Sequence, residues 1–477
     1  MMTSKINSFK NENNLLIQRI KKESIECIQS LTTHGLPNLS RTKYKLIKFI
    51  WFLLTIASAL FSIYFILKTL SEFYEYNVTT EVRLIKSNEP LEFPTISICN
   101  KNRFSTNYSV DRLKNLIKSN YNYSFEELFH NQNITKRNLN YFVKSSLVNN
   151  ESKFLFSDIE MNEREKYTLN MKNSLLHCQF MNQNCNYTDF EWFFNSKYGN
   201  CYKFNTNGLK KSYKANQDDG LLILLLLKNP IEIEKLGFDK GLFISIDPNN
   251  KETFTDFENL IEISSGYQTN IQIHKSLFQK YPKPYSNCDI HMKDSIDFLK
   301  SDNIQLINEI IQANFTYSHS LCMIFCRHKL FNQNNVTCKF KSNSLQVPNV
   351  NYCQANKNLS LIIEYENILN ENITKSCLNM CPMECETIKY DTDIFITKYP
   401  EWFFDYFKYV YENLNKDNDT SIDREDFLIL KIFYGSLNYM SYKESPSMSL
   451  YGLISNLGGT LGLFLGNSLY LFEIINI

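Results

Sequence analysis

Apolar positions collect into three unbroken runs. Phe49–Leu67 (FIWFLLTIASALFSIYFIL) holds nineteen residues without a charge, the length a helix needs to cross a bilayer. Tyr451–Phe472 (YGLISNLGGTLGLFLGNSLYLF) is again uncharged and long enough to span. Leu221–Leu227 (LLILLLL) is too short to cross. Its flanking turn formers, Asp218-Asp219-Gly220 and Asn229-Pro230, mark it as a buried central strand. Between the long runs the pattern predicts further strands at Leu91–Phe104, Leu242–Ile246, Thr269–His274 and Phe427–Tyr434, the last leading down to the second span. Helices are expected at Asp111–Ile117, at Asp294–Gln312 on the stripe Ile304, Ile307, Ile310 and Ile311, and at Glu401–Leu414. Residues 105–175, rich in Asn, Ser, Lys and aromatics, read as a peripheral insertion. An α+β assembly between two membrane helices follows.

The second run carries a row of glycines. Gly458, Gly462 and Gly466 stand four apart, with Gly459 beside the first, so one helix face lacks side chains and a neighbouring backbone can approach closely. The row ends in Gly466-Asn467-Ser468, where glycine and two polar side chains sit at membrane depth, an arrangement tolerated where backbone faces protein or a water-filled path. On these residues alone, an anchor that dimerises through GxxxG and a pore both fit.

Charge orients the spans. Arg41, Lys43, Lys45 and Lys48 crowd the start of the first run, against Lys68 with Glu72, Glu75 and Glu81 beyond it, which places the N-terminus in the cytosol. The run is too long and too deep for a cleaved signal peptide. The expected organisation is a cytosolic segment 1–46, a first transmembrane helix 47–68, an extracellular domain 69–449 and a second transmembrane helix 450–477, with both termini cytosolic. Cysteine parity agrees, since of 13 cysteines only Cys27 lies outside the extracellular segment, and an even set in an oxidising compartment reads as a disulfide framework. Glycosylation sequons stand there at Asn77, Asn107, Asn122, Asn133, Asn150, Asn186, Asn314, Asn335, Asn358, Asn372 and Asn418.

Composition excludes other classes. A 43% hydrophobic and 14% aromatic content supplies a packed core, and a net charge of +1 without a basic stripe argues against nucleic acid as a partner. Cys322-x3-Cys326 and Cys377-x3-Cys381-x3-Cys385 mimic metal-ligand spacing, but zinc needs reduced thiolates and this segment is oxidising, so disulfides are expected and no metal. The seven histidines include no HxxxH or HExxH pair, and GxSxG and phosphate-loop motifs are absent. Neither an enzyme nor a cofactor is indicated. Thr32–Pro37, with His34-Gly35 inside it, reads locally as a turn.

Taken together, certain residues resemble the degenerin, epithelial sodium channel and acid-sensing ion channel superfamily over nearly the whole chain. They are His34-Gly35 before the first span, Phe93-Pro94-Thr95-Ile96-Ser97-Ile98-Cys99-Asn100 after it, and Cys178, Cys185 and Cys201 around Tyr198-Gly199-Asn200-Cys201-Tyr202. Tyr281-Pro282-Lys283-Pro284-Tyr285 before Cys288, the cysteine series to Cys385 and the span GGTLGLFLGNS complete the set. The resemblance implies a homo- or heterotrimeric, amiloride-sensitive sodium channel of the plasma membrane. Each subunit would carry two transmembrane helices and a disulfide-rich α+β ectodomain of palm, knuckle, finger, thumb and β-ball parts.

It implies the pairs Cys99–Cys201, Cys178–Cys185, Cys288–Cys385, Cys322–Cys381, Cys326–Cys377 and Cys338–Cys353. It implies a selectivity filter at Gly466, Asn467 and Ser468, where rings of oxygens replace part of the ion's hydration, with pore packing at Gly458, Gly459 and Gly462. It assigns gating roles to His34 and Gly35 on the cytosolic side and to an aromatic contact of Tyr76 with Tyr285. Two positions depart from the pattern of acid-sensing members: Asn456 stands at the pore mouth where they carry an acid, and no histidine lies near Tyr76–Thr80. Glu473, at the lower pore, comes five positions after Ser468 where the family has six, a rotation of about 100° on a helix. The stimulus could be a ligand, peptide or proton, or mechanical force. A purinergic-type receptor fits neither the glycine-rich span nor LEFPTISICN, and a non-conducting receptor or adhesion glycoprotein stays as the alternative.

Overall fold

In a computed structural model the chain is described at residues 19, 22–23, 36–102, 104–121, 161–195, 198–230, 240–249, 260–289, 317–333, 374–414 and 422–466. Helices Leu36–Arg41 and Lys45–Tyr74 are followed by β1 (Val78–Ile85), β2 (Leu91–Glu92), β3 (Thr95–Asn100) and helix Asn107–Tyr121. Next come β4 (Leu175–Phe180), β5 (Gln183–Asn184), β6 (Phe190–Asn195), β7 (Gly199–Phe204), β8 (Lys211–Ser212) and β9 (Leu221–Leu226). Then follow β10 (Gly241–Asp247), β11 (Ile261–Ser264), β12 (Gln268–Gln279), β13 (Cys288–Asp289), helix His319–Gln333, β14 (Met383–Glu384) and β15 (Glu386–Thr397). Helix Glu401–Leu414, β16 (Phe427–Tyr434), β17 (Tyr439–Pro446) and helix Leu450–Leu465 complete the order. Two compact units result, one of Met1–Thr80, Pro284–Ser286 and Glu444–Ile477, the other of Glu81–Lys283 and Asn287–Lys443.

The larger unit is built on two sheets. One runs β1-β17-β12-β16-β9-β4-β5 with β15 also on β12, and the other β11-β10-β3-β7-β6. The run Leu221–Leu226 lies central in the first, antiparallel to β16 on one side and β4 on the other. Successive strand side chains point to opposite faces, so Leu221, Ile223 and Leu225 enter the main core while Leu224 and Leu226 enter a second. Strand β16 divides in the same way, Leu428, Leu430, Ile432 and Tyr434 on one face and Phe427 and Ile429 on the other. Helix Glu401–Leu414 covers the second core with Phe403, Phe404, Phe407 and Tyr411. Both faces are therefore dry, which is why the run is apolar at every position. Gly220 opens β9, and a Cβ there would run into the Ile432 carbonyl and lie 2.6 Å from Cβ of Phe433.

Expectation and structure differ in identifiable places. Leu91–Phe104 is two strands, because Pro94 lacks the N–H that would continue the ladder. Phe427–Tyr434 does not lead into the last helix; β17 intervenes, a polar, half-buried strand ending at Pro446. The predicted strand at Thr269–His274 extends to Gln279 because β15 pairs along its whole length. The stretch 105–175 is not peripheral where described: Val110, Leu113, Tyr167, Leu169 and Met171 are all buried, apolar positions spaced among polar ones. The helix expected at 294–312 lies outside the described residues.

Candidate functional site

The smaller unit pairs the long helix Lys45–Tyr74 with helix Leu450–Leu465. The long helix is long and apolar enough to cross a membrane, the one such helix among the described residues. Phe49, Leu54, Leu60, Tyr64 and Leu67 stand outward, each more than half exposed, an apolar surface of the kind that marks a lipid or protein contact. Its inner stripe is different in kind, half-buried at Thr55, Ser58 and Ala59 and buried at Ser62. The two helices run antiparallel: Asn77 accepts from the Ser447 N–H (2.9 Å) near one end, and Ser58 meets Phe464 near the other.

Helix Leu450–Leu465 begins on Ser449, whose Oγ accepts from the Gly452 N–H at 3.1 Å. Thr460 returns its hydroxyl to the Asn456 carbonyl at 2.8 Å. The helix stops at Gly466, which adopts φ 68°, ψ 14° and donates to the Gly462 carbonyl at 3.0 Å. Glycine reaches this left-handed conformation without the Cβ penalty of other residues. Sixteen residues measure about 24 Å, short of the roughly 30 Å of a hydrocarbon core.

At the opposite end, Tyr76 closes the long helix with φ 52°, a conformation costing a non-glycine residue on the order of 1–3 kcal/mol. Its ring meets Tyr285 edge-on, centroids 5.3 Å apart, and Tyr74 at 6.3 Å. These two contacts hold the residue there.

Among the described residues of the larger unit five disulfides are formed. Cys99 and Cys201 are direct partners on β3 and β7, Cα atoms 4.3 Å apart, the close spacing of a non-hydrogen-bonded antiparallel pair. Cys178–Cys185 closes the β4–β5 hairpin, where the Cys185 N–H also donates to the Cys178 carbonyl. Cys288–Cys385 stands beside the short β13–β14 ladder. Cys322–Cys381 and Cys326–Cys377 tie helix His319–Gln333 to a helix at 374–380 and the residue that follows it, the two bridges four residues apart on each side.

A family model described as the amiloride-sensitive sodium channel matches residues 27–476. The chain belongs to this family. It is 25% identical over 474 residues to the bile acid-sensitive ion channel of Mus musculus, covering 95% of this chain and 87% of that one. It is 23% identical over 472 residues to acid-sensing ion channel 1 of Gallus gallus, covering 94% and 83%. It is 25% identical over 328 residues to the epithelial sodium channel subunit beta-2 of Xenopus laevis, covering 66% of this chain and 48% of that subunit. In this last comparison the chain spans about half the relative's length.

Within this family member, the positions expected to matter fall into three groups. Gly458, Gly462 and Gly466 are half-buried on the last helix, whereas Gly459 and Asn456 are exposed on it. Tyr76 and Tyr285 are brought together, and Asn77, Asn107 and Asn186 are exposed sequon asparagines. His34, Gly35, Asn467, Ser468, Glu473, Cys338, Cys353 and the sequons at Asn122, Asn133, Asn150, Asn314, Asn335, Asn358, Asn372 and Asn418 lie outside the described residues. Sequence reasoning missed Ser58. The available signal was three hydroxyls, Thr55, Ser58 and Ser62, spaced three and four apart in an otherwise apolar run.

Proposed function

We propose that the chain is a pore-forming subunit of a trimeric sodium channel of the amiloride-sensitive type in the plasma membrane. It crosses the bilayer twice, with both termini cytosolic, residues 69–449 outside and the spans at 47–68 and 450–477. Gly466, Asn467 and Ser468 line the narrow part of the path and Glu473 its lower part. Gly458, Gly459 and Gly462 pack the pore helices, and Asn456 marks the outer mouth. Sodium loses part of its hydration to a ring of backbone oxygens, so selectivity needs no charged side chain. Opening is driven through the ectodomain by a ligand, peptide or proton, or by force, with Tyr76–Tyr285 and His34-Gly35 in the coupling. Exposed sequons such as Asn186 carry glycans.

The observation that carries this reading is the sixteen-residue apolar helix that ends at Gly466, shorter than a bilayer crossing requires. A membrane anchor gains nothing from a break there, whereas a conducting path needs backbone oxygens turned out of helical bonds. The test is voltage-clamped expression of the full chain, alone and with related subunits, under sodium replacement and amiloride. An amiloride-blocked sodium current is expected. Gly466→Trp should abolish that current at unchanged surface level, since a bulky residue cannot hold the left-handed conformation and would fill the path. Current of unchanged size and selectivity in Gly466→Trp removes the pore assignment.

A further inference from the structure

Three hydroxyls on the inner stripe of the long helix meet three fates. Thr55 turns its hydroxyl back on its own helix, donating to the carbonyls of Trp51 (3.0 Å) and Phe52 (2.9 Å). Ser62 is 1% exposed, and its Oγ has no hydrogen-bond partner among the described residues. Ser58 alone reaches across, donating from Oγ to the backbone carbonyl of Phe464.

That carbonyl is two residues before the break. The last four carbonyls of an α-helix have no donor within the helix, and at membrane depth no water replaces one. Here those are the carbonyls of Gly462, Leu463, Phe464 and Leu465. Among the described residues Gly466 satisfies the first and Ser58 the third. The ring of the same residue is held as well, stacked on Phe65 with centroids 5.5 Å apart and 14° between planes, and on Phe61 at 6.3 Å and 21°. Ser58, Phe61 and Phe65, spaced three and four apart, thus grip Phe464 by backbone and side chain together.

We infer that Ser58 is a positioning residue of the pore: its hydroxyl holds the Phe464 carbonyl where the last helix stops, and so sets the rotation and depth of the backbone oxygens at Gly466. This rests on the pore reading above. The long helix then does more than surround the path, because it sets the geometry that sorts ions. Without the hydroxyl, the Phe464 carbonyl loses the donor that holds it against the long helix and is free to join a further helical turn or to swing toward the path. Either choice moves the ring of oxygens, and a ring fitted to sodium loses discrimination against potassium sooner than it loses conduction.

The experiment measures the sodium-to-potassium permeability ratio and unit conductance of the full-length channel, with surface level read by biotinylation. Ser58→Ala is expected to lower the ratio about fivefold, the factor equivalent to one net hydrogen bond, at near-normal surface level. Ser62→Ala, on the same inner stripe with the same atoms removed but no bond lost, is expected to leave the ratio unchanged. If Ser58→Ala does not reach the surface, Ser58→Cys, similar in size with a weak donor, replaces it and is expected to give an intermediate ratio. A wild-type ratio in Ser58→Ala or in Ser58→Cys overturns the inference, as does a shift in Ser62→Ala equal to that in Ser58→Ala. Gly466→Trp keeps the two readings apart. Unchanged current in it defeats the pore assignment, whereas loss of current in it with wild-type ratios at position 58 defeats only the role of Ser58.

Discussion

Tyr434 lies 1% exposed in the main core and donates its hydroxyl to the Glu92 carbonyl at 2.7 Å. Burial pushes its phenol far above the ordinary 10.0, and burial likewise pushes Tyr390 up to about 12. Both groups hold their protons more tightly folded than unfolded. Their contribution to stability is complete below the unfolded value near 10 and is lost as pH rises through the folded values. Thermal unfolding of the purified protein should therefore be insensitive to these two phenols up to pH ~10 and decline above it. Tyr434→Phe should cost about 1–2 kcal/mol at neutral pH, from the donor lost to the Glu92 carbonyl, and should make the alkaline decline shallower. The same slope above pH 10 in both proteins would show that the decline has another origin. Neither phenol changes charge between neutral and acid pH, so neither can report an acid stimulus.

At the scale of elements, the larger unit is fastened at the start of β16. Asp426, 3% exposed, accepts from the Lys240 ammonium at 2.6 Å and from the Asp423 N–H at 2.9 Å. Its own carbonyl accepts from the Leu227 N–H just past β9, also at 2.6 Å. One residue thereby joins the loop before β10 to the central pair of strands. Removing one side of a buried charge pair costs on the order of 3–5 kcal/mol, because the other charge stays buried. Asp426→Asn should lower the melting temperature of the solubilised channel and reduce its surface level. Lys240→Met with Asp426→Leu together should recover part of the loss, and no recovery would assign the cost to the Asp423 cap instead. None of this was legible beforehand, since Lys240 and Asp426 are 186 positions apart. What could be read was burial: Leu221–Leu227 announces a central strand because both its faces are dry, and Glu401–Leu414 a helix because its aromatic residues recur at helical spacing. Strand β17, YMSYKESP, announces nothing, being half-buried and polar and shaped by its partner β12.

At the scale of the whole molecule, two antiparallel helices cannot enclose an aqueous path, so the proposed pore calls for further subunits, copies of this chain or its relatives, around an axis. The last helix offers two distinct faces for this. Gly458, Gly462 and Gly466 form a half-buried row, while Asn456, Gly459 and Leu463, three and four apart, form an exposed one. No atom of the described residues outside the helix's own backbone and the adjoining positions lies within 4 Å of the place a Cβ on Gly459 would occupy. The glycine spacing was plain in the sequence; which glycines touch their own chain was not, because it depends on where the long helix lies. The difference makes Gly459 a clean probe of assembly. Within one chain, Gly459→Leu has room and should leave the fold and the Ser58–Phe464 contact intact. In a trimer whose pore helices approach along the exposed row, it should force neighbouring copies apart, at about 1–3 kcal/mol per copy for an overpacked contact. Native mass spectrometry in detergent should then show the trimer fraction falling at least about tenfold, with monomers of unchanged thermal stability. A Gly459→Leu channel that stays trimeric and conducts as before would place that row against lipid, leaving Gly458 and Gly462 to carry the packing.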